Sequence, residues 1–376
     1  MNQPSGSARH WNGTRLRHLA ELEGTTMGDL GQNLGLSNSA ISRMVLGQQA
    51  VPNEIVREAI RRFDLPESFF AIHTADLPGR SSLPRDDSSN AYRDKRLLRL
   101  FHEAWRTWRV AARASHAPRA PLPTGYTDPE QAAVAVRQAL GMNEHEPVRN
   151  MVRLAERLGV AVIDGLDPHL EPATLPGASP ARDAITIPGN TRERALIATI
   201  RPLPGAVQRV AVAQQLGLLV RSQRLSTPPT SSQRRWANAF AGALLLPERV
   251  MRKQVDQSTT LAHYLCLKAQ FGVGTKWIAR RAKHLGLIDP QRERSLVIQI
   301  GSRDWNTIEP VQVAREEPMF LLQALEHAWP GEPALHAAEA VGLPENLLRA
   351  WVGLEPIYRQ PCAVIDLAAW RSKRAM

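Results

Sequence analysis

The chain has little cysteine and no long apolar run. Its two cysteines, Cys266 and Cys362, lie far apart, which excludes a disulfide scaffold and a four-cysteine zinc site. The longest apolar stretches, such as residues 239–247, are far shorter than the roughly 18–20 residues that a membrane helix needs. Residues 1–13 are polar and lack the apolar core of a secretory signal. We therefore expect a cytoplasmic protein without a membrane partner.

Positive charge is concentrated in one part of the chain. The net charge is +11, and residues 201–300 hold 16 Lys and Arg against four Asp and Glu. Residues 1–79 are almost neutral, with seven basic and eight acidic side chains. Nucleic acid is the first partner that such a basic excess predicts, ahead of an acidic membrane surface. A merely solvated basic face is the alternative.

Hydrophobic residues make up 43% of the chain, enough for packed cores, and 376 residues predict two or three domains at roughly 150 residues each. Hydrophobic periodicity predicts a mainly α protein with a small β component. Helices are expected at 91–113, 207–220, 234–246, 261–271 and 275–285, and strands at 159–163, 184–187, 195–200 and 296–300. The predicted units are 1–75, a basic linker and long helix at 76–127, an α+β domain at 128–290, and a helical region at 291–376.

Residues 26–47 have the spacing of a helix-turn-helix. Gly35 occupies the turn, the small Gly31 lets two helices approach, and Ile41 fills the core between them. The second helix of such a motif enters the major groove of DNA. The side chains that we expect to contact DNA are Asn38, Ser39, Ser42, Arg43 and Gln48. A helical hairpin that binds protein is the alternative.

The same stretch resembles the lambda-repressor-like (XRE/Cro) family. The resemblance is carried by Leu30, Gly31, residues 34–43 and Gly47, followed by Leu65-Pro66 and Phe69-Phe70. It implies a five-helix domain that binds double-stranded DNA. Because one such domain contacts only a half-site, we expect a homodimer. The chain departs from the family at Met27, where Gln is usual, and at Gly31, where Ala is usual.

Residues 128–288 resemble a second family, the ImmA/IrrE metallopeptidases. The match begins with Asp128-Pro129-Glu130 and residues 154–160, and it ends with residues 237–247 and 285–288. This resemblance implies an α+β, zincin-like domain. Active members carry a His-Glu-x-x-His helix that holds zinc, followed by a further carboxylate ligand.

In this chain the frame of the zinc helix is present at residues 209–218, but its chemistry is missing. The resemblance places Gln214, Gln215 and Leu218 at the His, Glu and His positions, and Arg235 and Trp236 near the further ligand. Leucine has no lone pair, and glutamine is a poor zinc ligand and no general base. We therefore predict no catalytic residue, metal or cofactor. The domain would act as a sensor, partner-binding or dimerisation module, with a protein or small-molecule effector in its vestigial cleft.

Two further segments are candidates for interaction. Lys276, Arg280 and Lys283 are spaced to share one helix face and are candidate phosphate contacts, with a solvated face as the alternative. Residues 335–351 repeat the helix-turn-helix spacing around Gly342. Their surroundings are acidic, so we favour a helical hairpin for packing or dimerisation over a second DNA-binding motif.

The sequence as a whole predicts a DNA-binding transcriptional regulator of the repressor type, associated with the nucleoid. The two resemblances suggest a bacterial or phage protein. One alternative is an active metallopeptidase that cleaves a repressor. The other is an antitoxin-like or anti-repressor scaffold whose first domain binds protein.

Overall fold

The structure is a computed structural model. It describes residues 11–72, 91–117, 122–175, 179–180, 183–187, 195–221 and 229–357. Within these ranges helices dominate, and three short strands form a single sheet. The predicted class, mainly α with a small β component, is confirmed.

Short helices build an N-terminal bundle. They are α1 (Thr14–Leu22), α2 (Met27–Asn33), α3 (Asn38–Val45), α4 (Asn53–Phe63) and a 3₁₀ helix (Glu67–Ala71). Their inner faces bury Leu16, Leu30, Ile41 and Phe69 in one apolar cluster. The predicted unit 76–127 begins with a linker, and its residues up to 90 lie outside the described residues. The long helix α5 (Ala91–Ala114) follows it and packs against α1.

In its described residues, the central part combines the sheet with eight helices. The strands are β1 (Ala161–Asp164), β2 (Ala184–Ile187) and β3 (Leu196–Thr199). The helices are α6 (Pro129–Ala139), α7 (Met151–Arg157), α8 (Gly205–Arg221), α9 (Ser231–Leu245), α10 (Glu248–Gln254), α11 (Leu261–Phe271), α12 (Thr275–His284) and α13 (Pro290–Ser302).

The sheet lies between two apolar cores. Strand β3 is central, parallel to β1 and antiparallel to β2. Because strand side chains alternate between faces, Ile163 and Ala198 join the core of the N-terminal bundle and α5. Val162 and Ile197 join the other core, with α8 and α9. The sheet therefore connects the helix α8 to the N-terminal part of the molecule.

The predicted strand at 296–300 is wrong, because these residues belong to α13. Their β-branched run is typical of a strand, but Asp289 caps a helix here by accepting a hydrogen bond from the Arg292 backbone N–H at 2.7 Å. Leu296 and Ile300, four residues apart, face the core, whereas Ile298 is 70% exposed. The buried positions thus follow the helical period.

Three helices complete the described chain: α14 (Phe320–Ala328), α15 (Pro333–Val341) and α16 (Glu345–Trp351). They are reached through a non-helical connecting segment, residues 303–319, which begins with turns. Helix α14 packs on α5, and α15 packs on the 3₁₀ helix of the N-terminal bundle. Among the helices described, none has the length and apolar character to cross a membrane.

Candidate functional site

Helices α2 and α3 each begin with a side-chain cap, and a short turn joins them. Thr26 accepts a hydrogen bond from the Asp29 backbone N–H at 3.0 Å, and Ser37 accepts one from the Ala40 N–H at 3.3 Å. Such caps satisfy N–H groups that a helix leaves unpaired at its start. Gly35 in the turn has a φ of +68°, which favours glycine.

Gly31 lies where α2 approaches the start of α3. A Cβ at this position would lie 3.1 Å from the carbonyl oxygen of Leu36 and 3.5 Å from Cγ2 of Ile41. Ile41 itself is buried between the helices. The close approach therefore leaves little room for a larger residue than glycine at position 31.

The outer face of α3 is not buried by the rest of the described chain. Ile41 and Met44 anchor the inner face. Arg43 is exposed and has no hydrogen-bond or ion-pair partner among the residues that the structure describes. The predicted DNA-contacting side chains are all exposed: Asn38, Ser39, Ser42, Arg43 and Gln48. This face is thus available to a partner.

A buried ionic cluster fixes the N-terminal bundle to α5 and α15. Arg15 donates to the Glu103 carboxylate, to the Phe69 carbonyl and to the Gly342 carbonyl. Arg106 pairs with the other oxygen of Glu103. Burial alone would raise the pKa of Glu103, but the charges and hydrogen bonds of the two arginines lower it to about 2. The carboxylate therefore stays ionised inside the protein.

The candidate zinc-helix positions lie in a buried part of α8. Gln214, Gln215 and Leu218 are all buried. The Gln215 side-chain amide donates to the Ala184 carbonyl of β2 at 3.3 Å, which fixes it against the edge of the sheet. The Oε1 atom of Gln214 is buried and has no hydrogen-bond partner among the described residues.

Helices α8 and α9 pack closely at Gly217. A Cβ there would lie 2.7 Å from Cδ1 of Phe240. The ring of Trp236 stacks on Phe240 at 5.7 Å, and its indole N–H donates to the Thr127 carbonyl at 2.7 Å. Trp236 is thus linked to α8 through Phe240, while Arg235 is exposed to solvent.

These side chains do not fit a zinc ion. Zinc in proteins takes thiolate, imidazole or carboxylate ligands. The five positions supply two amides, an alkyl group, a guanidinium and an indole. A guanidinium carries the same sign of charge as the metal.

One buried carboxylate near α8 could not be identified from the sequence. Glu316 of the connecting segment pairs with Arg209 of α8, and both side chains are buried. The same carboxylate accepts hydrogen bonds from the backbone N–H groups of Met151 and Val152 at the start of α7. Glu316 and Arg209 are 107 residues apart, so no local pattern could have predicted the pair.

The three candidate phosphate contacts on α12 differ in their surroundings. Lys283 forms an ion pair with Glu293 of α13 at 2.5 Å. Lys276 is half-buried and Arg280 is exposed, and neither has an ionic partner among the described residues. Lys283 therefore differs from the other two cations in having an ionic partner.

Comparison with known proteins finds similarity within the central part. The family model described as the IrrE N-terminal-like domain, Peptidase_M78, matches residues 191–283, about a quarter of the chain. No match is found among curated proteins. The matched interval contains α8 to α11 and all but the last residue of α12, and hence the positions Gln214, Gln215 and Leu218. The ImmA/IrrE part of the sequence interpretation is therefore confirmed for residues 191–283, which are similar to the IrrE N-terminal-like domain.

Proposed function

We propose that this protein is a sequence-specific double-stranded DNA-binding regulator of the repressor type. In this proposal α2 and α3 form the helix-turn-helix, and α3 reads base edges in the major groove. The IrrE-like domain does not catalyse proteolysis but acts as a sensor, partner-binding or dimerisation module.

The exposed face of α3 is the observation that carries the proposal. Arg43 offers a guanidinium that can pair with two acceptors of guanine, and Asn38 offers an amide that can pair with adenine. Both side chains are exposed on a helix whose other face is fixed by Ile41 and Met44. A recognition helix needs this combination of a free polar face and a rigid support.

Recognition of an operator requires more than one copy of α3. A single motif contacts one half-site, and a two-fold dimer places two such helices about 34 Å apart along the duplex. The N-terminal 79 residues carry seven basic and eight acidic side chains. Since a neutral domain releases few counterions, we propose that part of the affinity comes from cations outside it.

Loss of the zinc ligands supports a non-catalytic role for the IrrE-like domain. Gln214 and Leu218 cannot replace two imidazoles, and Gln215 cannot act as the general base of a metallopeptidase. All three are buried. The active peptidase is therefore the weaker alternative.

The test is selection of DNA from a random duplex library with the full-length protein, followed by titration of the selected sequence. Arg43→Ala and Asn38→Ala should each weaken binding by about 1–3 kcal/mol and relax specificity at one base pair. The matched control is Arg61→Ala, which removes an exposed arginine from α4 of the same bundle. It should leave the selected sequence unchanged.

The assignment of α3 would be refuted if no DNA sequence were enriched. It would also be refuted if the wild type and the Arg43→Ala variant bound the selected DNA with equal affinity. A protein-binding scaffold is then the second candidate. One observation favours it: Leu46, at the end of α3, is 70% exposed. An apolar side chain beside the polar face suits a protein contact, which Leu46→Ala would weaken.

A further inference from the structure

A cavity of about 380 Å³ opens beside the first turns of α8. It lies between α8, the start of α12 and the connecting segment. Its volume falls within the roughly 300–1,000 Å³ range of small-molecule pockets. Val207 and Val210 of α8 line it, and Gln214 follows them at the next helical position of the same face. The cavity is therefore next to the vestigial zinc-helix positions.

Part of the cavity wall is aromatic and apolar. Trp277 of α12 and Trp305 of the connecting segment both line it, and both are only half-buried. Ile308, also in the lining, is 68% exposed. Half-exposed tryptophans beside an exposed isoleucine offer flat apolar surface that a ligand would remove from water.

The charge of the cavity is positive. Its charged lining residues are Lys268, Lys276, Arg280 and Glu309. Lys268 and Glu309 form a buried ion pair, so they neutralise each other. Glu309 also accepts from the backbone N–H of Thr275 at 3.1 Å. Lys276 and Arg280, four residues apart on α12, remain as two cations without an ionic partner among the described residues.

We infer that this cavity binds a planar organic anion. The flat apolar part of the ligand lies against Trp277 and Trp305, and its acidic group is held by Lys276 and Arg280. Charge-assisted hydrogen bonds from two cations favour a phosphate, sulfonate or carboxylate over a neutral group. Glu309 does not neutralise them, because its charge is already balanced by Lys268.

The connecting segment gives such a ligand a physical link to the N-terminal bundle. The segment carries Trp305 and Glu309 in the cavity wall and continues to Phe320, the first residue of α14. Phe320 packs on Trp108 of α5 with ring centroids 4.8 Å apart. The role of the ligand as an effector rests on the proposed function, whereas its binding does not.

The experiment compares two dyes that differ in charge, using the full-length protein. The planar anion 1-anilinonaphthalene-8-sulfonate is titrated beside N-phenyl-1-naphthylamine, which lacks the sulfonate. Dye fluorescence reports binding, and the variants below locate the site. The wild type should bind the sulfonate with 1:1 stoichiometry and at least about tenfold more tightly than the neutral dye.

Three variants locate the site. The double variant Lys276→Gln/Arg280→Gln should lose the preference for the anion. Lys283→Gln, the matched control on the same helix, should keep it because Lys283 pairs with Glu293 outside the cavity. Ala206→Phe should block both dyes, since it fills the cavity without changing its charge. Circular dichroism checks that each variant is folded.

Equal affinity for the two dyes in the wild type would overturn the inference, as would a folded double variant that still prefers the sulfonate. Titration with the selected DNA duplex is run on the same samples. If the DNA binds but the anion does not, the ligand site is wrong and the proposed regulator stands. If the anion binds but no DNA does, the proposed function is wrong and the site stands.

Discussion

Arg15 of α1 and Glu103 of α5 form an ion pair at 2.7 Å in which both side chains are almost completely buried. Because Arg15 also donates to the Gly342 carbonyl after α15, one guanidinium joins three separate parts of the chain. A buried charge without its partner strongly destabilises the folded state. The position of the N-terminal bundle on α5 therefore depends on this pair.

Replacement of Glu103 by alanine should destabilise the protein severely. It leaves Arg15 and Arg106 buried without a counter-charge, and breaking such a pair costs about 3–5 kcal/mol. Chemical denaturation followed by circular dichroism measures the change in the free energy of unfolding. The matched control is Glu58→Ala, which removes the exposed partner of Arg61 and should leave stability nearly unchanged. A similar, small effect of both variants would contradict the role given to Glu103.

Stability should fall as the pH drops below about 6.5. Burial, with Arg99 and Arg15 nearby, lowers the pKa of His18 from 6.5 to about 2. Burial and Arg99 lower the pKa of His102 from 6.5 to about 4. At a pH between the pKa of a histidine in the unfolded chain and its lower pKa in the folded protein, the unfolded chain binds a proton that the folded protein does not. Acid therefore favours unfolding. Each histidine contributes a slope of about 1.4 kcal/mol per pH unit in its window.

The measurement is the free energy of unfolding between pH 7 and pH 5 for the wild type and for His18→Gln. In this range the wild type should lose stability through both histidines, and the variant through His102 alone. The slope should therefore fall by about half in His18→Gln. An unchanged slope would show that His18 takes up its proton in the folded protein.

The sequence predicts most helices because their ends carry local signals. Asp128 and Pro129 mark the start of α6, and the structure has the Asp128 carboxylate accepting from the first-turn N–H groups. The prediction of a strand at 296–300 was wrong because a β-branched run fits either a strand or a buried helix face. The Asp289 cap is the local signal that distinguishes the two. Local signals therefore decide the identity of an element better than its composition does.

Contacts between distant parts of the chain could not be predicted. Lys268 with Glu309 and Arg209 with Glu316 are buried pairs that join residues 41 and 107 positions apart. Neither partner stands out from other charged residues of the sequence. The cavity beside α8 depends on the first of these pairs, so the candidate ligand site emerged only from the structure.

Gly217 should not tolerate a larger side chain. A Cβ at this position would lie 2.7 Å from the Phe240 ring, so Gly217→Val forces α8 and α9 apart. Overpacking of this kind costs about 1–3 kcal/mol, which exceeds the gain in helix propensity on replacing glycine. Gly301→Ala in α13 is the control, since its Cβ meets only the Asn306 side chain at 3.4 Å. Thermal unfolding should show a lower Tm for Gly217→Val alone, and equal Tm values would contradict the close packing.

Removal of divalent metal should leave the protein unchanged. The positions Gln214, Gln215 and Leu218 offer no ligand set for zinc, so folding gains nothing from the ion. Dialysis against EDTA should alter neither the Tm nor the affinity for the selected DNA. Stoichiometric zinc in the purified protein, measured by atomic emission, or a chelator-induced fall in Tm would revive the metallopeptidase alternative.

The salt dependence of DNA binding decides between two roles for Lys276 and Arg280. If they contact DNA phosphates, their joint replacement by glutamine lowers the slope of log K against log salt concentration by about 2. If they serve the cavity beside α8, the slope of the ligand-free protein stays as in the wild type, and this is the result we expect. Lys283→Gln should not change the slope either, because Glu293 already neutralises Lys283. A reduced slope for Lys276→Gln/Arg280→Gln together with an unchanged preference for the anionic dye would assign both cations to the DNA interface.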